Sequence, residues 1–356
     1  MSFIQVISIV KFMKFSEIFR DLLNSPTIPL STHHNTGVLH KTYDDKNFNA
    51  DHNNNNKFCL LLSHGISVHE LFFTECINQF LQNHFTSTTT TNTTISSIDK
   101  NSILSNDQVC NTIKCIIFCF HKSWNIYQKL LNPLYTNNVA LKDNLTIVDM
   151  TVILENLLMP NRNFDSDTID NDYLSNDKSI GTIIKDYIKE KTNEFLMNNS
   201  TTTNPSNNIV QGNIGIFIDN ISALHDLGVT IRELEQLLCS WLYLPDSYTT
   251  ISKNNHSLIC VGLHVGDHFQ DSIISEYEPA LVHLIGLWKS RATVTLECKP
   301  LQTGYTSLVD GQLICWKRSK VDNANLQNVT SENHIYTTFM LKGNISIVIL
   351  PEPQNY

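Results

Sequence analysis

Four short runs of almost uninterrupted apolar residues, 57–63 (KFCLLLS), 113–120 (IKCIIFCF), 144–149 (NLTIVD) and 213–219 (NIGIFID), each precede a stretch with helical spacing. A strand with one face in water alternates apolar and polar residues. An uninterrupted run instead fits a strand buried on both sides, as in a parallel sheet covered by helices on either face. The helices are expected at about 68–81, where Val68, Leu71, Phe72, Ile77, Phe80 and Leu81 recur at helical spacing, and at 122–132, 179–197 and 230–244. Two of them open with capping boxes, Ser67-Val-His-Glu70 and Thr230-Ile-Arg-Glu233, in which hydroxyl and carboxylate reciprocally satisfy free backbone N–H groups. Four βα units in succession predict an open, doubly wound sheet.

Beyond a fifth strand at 257–263 (SLICVGL) and a weak helix near 268–277, the pattern changes to strands at 280–286, 292–299, 312–317, 335–341 and 344–350. Lys342-Gly343 between the last two is a hairpin signal. The expected fold class is therefore α/β, a mostly parallel sheet with antiparallel C-terminal strands.

Four segments, 31–56, 86–109, 161–178 and 199–211, are rich in Asn, Thr, Ser and Asp and carry too little apolar surface to offset the entropy of ordering. They read as disordered insertions. The expected organisation is an N-terminal helix and flexible segment over 1–56, one domain over 57–350 with insertions at about 86–109, 161–178 and 199–211, and a tail over 351–356. With 41% hydrophobic residues the chain can form a core, and a net charge of −9 excludes a polycationic nucleic-acid coat. The nine cysteines include no C-x-x-C, and most lie in apolar runs, as reduced core residues of a cytosolic or nuclear protein do. The apolar octet at 3–10 has no basic residue before it, so it is not read as a signal peptide, and no run reaches the ~18 apolar residues of a membrane span. Four Asn-x-Ser/Thr sequons, at Asn144, Asn220, Asn328 and Asn344, are read as unused products of an Asn- and Thr-rich composition.

In a mononucleotide-binding α/β domain the first strand feeds a glycine-rich loop whose amides cradle phosphates and whose lysine meets the β/γ-phosphates. Here that stretch is Ser63-His64-Gly65-Ile66-Ser67-Val68-His69-Glu70: one glycine, no lysine, and a carboxylate where a phosphate would sit. Gly65 and Ser67 are thus degenerate nucleotide-site positions. The fourth strand ends in Asp219, in the place of a Mg²⁺-positioning carboxylate, but Asn220 follows it rather than an acidic group that could polarise water. Asp219 reads as a loop-bonding residue and a third degenerate position. No catalytic residue, cofactor or metal is assigned.

Basic residues cluster beside tryptophans, in Trp288-Lys289-Ser-Arg291 and Trp316-Lys317-Arg318-Ser-Lys320, and Lys185, Lys189 and Lys191 share one helix. Each cluster alone reads as a solvated edge. Two in the same antiparallel region make Lys289, Arg291, Lys317 and Arg318 candidate contacts for a phosphate backbone or a partner.

The chain resembles the Elongator subunit 6 family. The resemblance runs through IGIFIDNISALHDLGV (214–229), SLICVGLHVGD (257–267), the segment up to LVHLIGLWKSRATVTLE, Leu301-Gln-Thr-Gly304-Tyr305, Val309-Asp310-Gly311-Gln312-Leu313 and Trp316-Lys317-Arg318, and ends in the YTTFMLKGNISIVI hairpin. It covers roughly 57–85, 113–150 and 212–350. It implies a RecA-like ATPase fold that has lost its phosphate-binding loop, and assembly with Elongator subunits 4 and 5 into a hetero-hexameric ring that binds tRNA. That ring serves modification of the wobble uridine, in the cytoplasm and nucleus. The Asn/Thr-rich insertions depart from the family.

Two other function classes fit the residues. One is a divergent P-loop-type nucleotide hydrolase or recombinase paralogue using Asp219 for Mg²⁺, which the missing Gly-Lys-Ser/Thr disfavours and MgATP binding tests. The other is a metal-dependent enzyme at His264, Asp267 and His268, opposed by the two glycines of that stretch and tested by elemental analysis.

Overall fold

The computed structural model describes residues 13–14, 57–64, 69–89, 112–131, 145–158, 179–197, 212–242, 257–265, 279–301, 310–317, 333–342 and 346–350. Its strands are β1 (Met13–Lys14), β2 (Lys57–His64), β3 (Thr112–Cys119), β4 (Leu145–Asp149), β5 (Gly212–Ile218), β6 (Ser257–Val265), β7 (Val294–Lys299), β8 (Gly311–Lys317), β9 (Asn333–Lys342) and β10 (Ser346–Leu350). Its helices are α1 (His69–Thr89), α2 (Trp124–Leu130), α3 (Met150–Leu158), α4 (Ile180–Met197), α5 (Ser222–Asp226), α6 (Ile231–Leu242) and α7 (Pro279–Arg291).

All ten strands join one sheet in the order β1-β10-β9-β8-β7-β2-β6-β5-β3-β4. From β7 to β4 every pairing is parallel, and from β7 to β1 every pairing is antiparallel. The sheet is open and doubly wound, with helices on both faces and the antiparallel C-terminal extension. β2 is buried almost throughout because both its faces are covered. Its even-numbered residues Phe58, Leu60 and Leu62 enter a layer with α3 to α7, while Cys59 and Leu61 enter a second layer with α1 and α2. Asn333–Lys342 and Ser346–Leu350 form the expected hairpin, with Lys342 opposite Ser346.

Several elements differ from the sequence expectation, among them the short helix α5 at Ser222–Asp226, which it does not include. Residues 280–286 are helix, part of α7, and not strand. Leu281, Leu284, Ile285 and Trp288 are buried at spacings of three and four while Val282 is 42% exposed, and Pro279 occupies a first-turn position that needs no amide donor. At the N-terminus, Met13–Lys14 is a strand rather than the expected helix; it pairs with Val348 and Ile349, covering part of an otherwise open sheet edge. A further helix, α3, follows Asp149 without a gap and has no counterpart in the sequence expectation. α1 runs to Thr89 and so takes in the start of the 86–109 insertion, most of which lies outside the described residues, as do 31–56 and 199–211. The segment expected as a weak helix at 268–277 also lies outside them. Among the described residues, no helix is long and apolar enough to cross a membrane.

The capping box at Thr230 forms: its amide and hydroxyl donate to Glu233 Oε2 at 3.0 and 2.9 Å, and the Glu233 amide donates to Thr230 Oγ1 at 3.3 Å. Two residues beyond the end of α5 lies Gly228, whose φ of 94° is left-handed. Its amide donates to the His225 carbonyl and the Val229 amide to the Leu224 carbonyl, which satisfies two terminal carbonyls and turns the chain into α6.

Candidate functional site

In an open α/β sheet, ligands settle at the carboxyl ends of the strands where neighbouring strands send their connections to opposite faces. Here β2 leads to α1 on one face, while its neighbour β6 leads to α7 on the other. The neighbours β3 and β5 diverge in the same way, toward α2 and α5. The two crevices are lined by His64, His69 and Glu70, by His121 and Lys122, by Asp219 and Asn220, and by His264.

Asp219 follows β5 and is fully buried. Its Oδ1 accepts the Phe120 amide at 2.6 Å; its Oδ2 accepts the amides of His121 at 2.8 Å and Lys122 at 3.4 Å and the Tyr127 hydroxyl at 2.7 Å. Burial raises its pKa while the Tyr127 hydroxyl and the three amides oppose the rise. The carboxylate thus ties the end of β5 to the turn after β3 and to α2, with both oxygens occupied by donors of this chain. Asn220 caps locally in the same manner: its Oδ1 accepts from Ser222 Oγ at 2.5 Å and from the amides of Ser222 and His264 at 3.2 and 3.3 Å. Asp149, at the end of β4, accepts the Trp124 amide at 2.8 Å and the Thr151 hydroxyl at 2.6 Å, starting α2 and α3 together. Replacing Tyr127 by Phe removes one donor from a buried carboxylate, and urea titration is expected to show a loss of about 1.5–3 kcal/mol.

His69, the first residue of α1, is fully buried and donates its Nε2–H to the Asp219 carbonyl. Its ring lies among two others: the centroid of His264 is 5.1 Å away, that of His121 5.9 Å, and His121 and His264 are 4.7 Å apart. Burial first, then the positive potential of His264, lowers the His69 pKa to about 3, so the imidazole is neutral at physiological pH. The approach of His69 to Asp219 depends on Gly262 in β6. A Cβ there would fall 1.9 Å from the Asp219 carbonyl oxygen and 2.7 Å from two ring atoms of His69. At the rim, Glu70 faces His121 Nε2 at 3.4 Å and Lys122 Nζ at 3.7 Å. Burial pushes its carboxyl up, but His121, the helix backbone and Lys122 outweigh that and hold it below the usual range.

Gly65 and Ser67 lie outside the described residues, as do Asp267 and His268, so the grouping of His264 with those two has no described geometry. His264 keeps company with His69 and His121 instead, a cluster that no local spacing in the sequence announces.

The basic candidates separate. Lys289 donates to Glu297 Oε2 at 3.1 Å and lies 5.2 Å over the Trp316 ring, which joins the two Trp-Lys clusters. Glu297, 3% exposed in β7, also bonds His64 at 2.8 Å and Lys299 at 3.0 Å. Its burial would raise its pKa; His64, Lys289 and Lys299 together hold it well below the usual range. Arg291 spans to α6, with Nη2 2.7 Å from Glu235 Oε1 and Nη1 3.3 Å from Cys239 Sγ. Lys317 follows Trp316 and, by strand alternation, lies on the opposite face with Cys315. Burial and then the charge of Lys317 lower the pKa of Lys57 there. Arg318 lies outside the described residues. On α4, Lys185 is paired with Glu233 and Lys191 with Glu194 at 2.8 Å.

No protein-family model and no curated protein matches the chain. Among solved structures it is similar to the flagellar accessory protein FlaH from Methanocaldococcus jannaschii, at 12% identity and a TM-score of 0.40, covering 83% of this chain and 89% of that one. It is also similar to the uncharacterized protein PH0321 from Pyrococcus horikoshii in complex with an unknown peptide, at 10% identity and a TM-score of 0.38, covering 82% of this chain and 91% of that one.

Proposed function

We propose that this chain is a non-catalytic RecA-like subunit of Elongator, which assembles with Elongator subunits 4 and 5 into a hetero-hexameric ring that binds tRNA and supports wobble-uridine modification in the cytoplasm and nucleus. The observation that carries the reading is the state of Asp219. A hydrolase of this fold keeps that carboxylate available to a Mg²⁺ shell. Here it holds three amides and a hydroxyl of its own chain, while His69 closes on its carbonyl. The lysine that would meet the β/γ-phosphates is missing from 63–70. The segments resembling Elongator subunit 6 support the finer identity. The rival hydrolase would have to break the Asp219 network to recruit a metal ion.

The antiparallel strands β7 to β10 offer the subunit contact, and Lys317 with Arg318 the tRNA contact. Lys289 serves less well as a probe, because charge reversal there would place a carboxylate against Glu297. The test is co-expression with Elongator subunits 4 and 5, gel filtration of the complex, and tRNA titration at two salt concentrations. The double variant Lys317→Glu/Arg318→Glu is expected to leave the ring intact, weaken tRNA binding and reduce the log–log salt slope by about 0.7–0.9 for each phosphate that the variant no longer neutralises. An intact ring with unchanged affinity and slope removes these two residues from the tRNA surface. Failure to co-purify with either subunit refutes the assembly.

A further inference from the structure

The second core layer, between the sheet and α1–α2, holds seven of the eight described cysteines, whereas the layer on the other face holds none. Cysteines acting only as small apolar fillers have no reason to prefer one face. Three of them converge. Cys59 and Cys260 are direct partners across β2 and β6, and Cys76 reaches them from α1. Their sulfur atoms all lie within 4.8 Å of one another. Along the sheet the row continues into Phe217 on one side and Val294 on the other. The surroundings thus offer sulfur and hydrocarbon.

We propose that Cys59, Cys76 and Cys260 form a three-sulfur binding site for a soft monovalent cation, Cu(I). Three sulfurs about 2.3 Å from a central ion stand about 4.0 Å apart, so each sulfur need move inward by only about half an ångström. Zn²⁺ takes four ligands, and these three are the only such group of ligand atoms among the described residues. Soft sulfur donors select Cu(I). An apolar layer disfavours net charge, so two sulfurs keep their protons on loading and the loaded site is neutral: Cu⁺ + 3 RSH → [Cu(SR)(HSR)₂] + H⁺. The sulfurs are buried beneath α1. The ion therefore enters as α1 docks during folding, or when it transiently lifts.

The test uses full-length protein produced with copper in the medium, and separately titrated with Cu(I) under anaerobic conditions, then challenged with the Cu(I) chelator bicinchoninate. The site predicts one copper retained per chain, a thiolate-to-metal charge-transfer absorption and a rise in melting temperature on loading. Cys76→Ala should lose at least tenfold in affinity. Cys119→Ala, a buried cysteine of the same layer outside the trio, should bind as the wild type does. Absence of retained copper by both routes, no change in the wild-type melting temperature, or equal loss in the two variants overturns the proposal. The wild-type readouts decide it even where Cys76→Ala does not fold.

Discussion

Gly262→Ala is expected to destabilise the protein by about 3 kcal/mol or more, at the upper end of the usual cost of overpacking a core. The added methyl carbon would lie 1.9 Å from the Asp219 carbonyl oxygen, which belongs to backbone and cannot rotate aside. Relief requires pushing the end of β5 away from β6. That shift would also disturb the bond from the Ile221 amide to the Gly262 carbonyl, 2.8 Å, and the approach of His69. Urea unfolding of the purified variant measures the loss. A midpoint equal to that of the wild type would mean that β5 and β6 do not approach as described. Gly286, on the exposed side of α7 with open space around its Cβ position, is the control: alanine there is expected to be neutral or slightly stabilising.

The second large effect is on pH dependence. His69 titrates near 3 in the folded protein and near 6.5 when unfolded. The unfolded chain therefore takes up a proton that the folded chain refuses. Stability from this residue is fully present above about pH 6.5 and is lost as the pH falls toward 3. Two units below the unfolded value, at pH 4.5, the loss is about 2–3 kcal/mol. His121, His264, Glu70 and Asp219 face the same ring, so the wild-type curve alone does not isolate His69. The decisive quantity is therefore the slope of stability against pH in the wild type minus that in His69→Gln. The difference is expected between pH 4 and 6.5 and should vanish above pH 7. Identical slopes would show that His69 is not the buried neutral imidazole described.

The parallel strands are legible because two-sided burial leaves a local signature: 57–63, 113–120 and 213–219 are apolar nearly throughout, and each lies within one residue of a strand boundary found. α7 is not legible by the same criterion. LVHLIGL is short and apolar enough to pass for a strand, and the arbitrating signs are Pro279 and the spacing of Leu281, Leu284, Ile285 and Trp288. α3 is hidden because it begins directly after Asp149, without polar residues to mark a turn.

At the site, the sequence shows a strand-end aspartate followed by asparagine and a loop without lysine. It does not show what occupies the aspartate. The amides of 120–122 lie 97 to 99 residues away and Tyr127 lies 92 away. Amides have no side-chain identity to read in any case. The histidine cluster escapes the sequence for a related reason: local spacing points from His264 to Asp267 and His268, whereas the fold brings in His69 and His121 from two other strand ends. Among the basic residues, a side chain chosen for charge alone, Arg291, is committed to Glu235 on α6, a partner visible only once the helices are packed.

The most direct measurement of the central claim is equilibrium binding of labelled ATP with Mg²⁺ to the purified chain, followed by phosphate release. A carboxylate engaged by Phe120, His121, Lys122 and Tyr127, beside a loop without lysine, predicts no saturable binding at nucleotide concentrations that fill an active RecA-like site, and no hydrolysis above background. Saturable binding with turnover, both abolished by Asp219→Ala in a variant that remains folded, would contradict the account and return the chain to the nucleotide hydrolases.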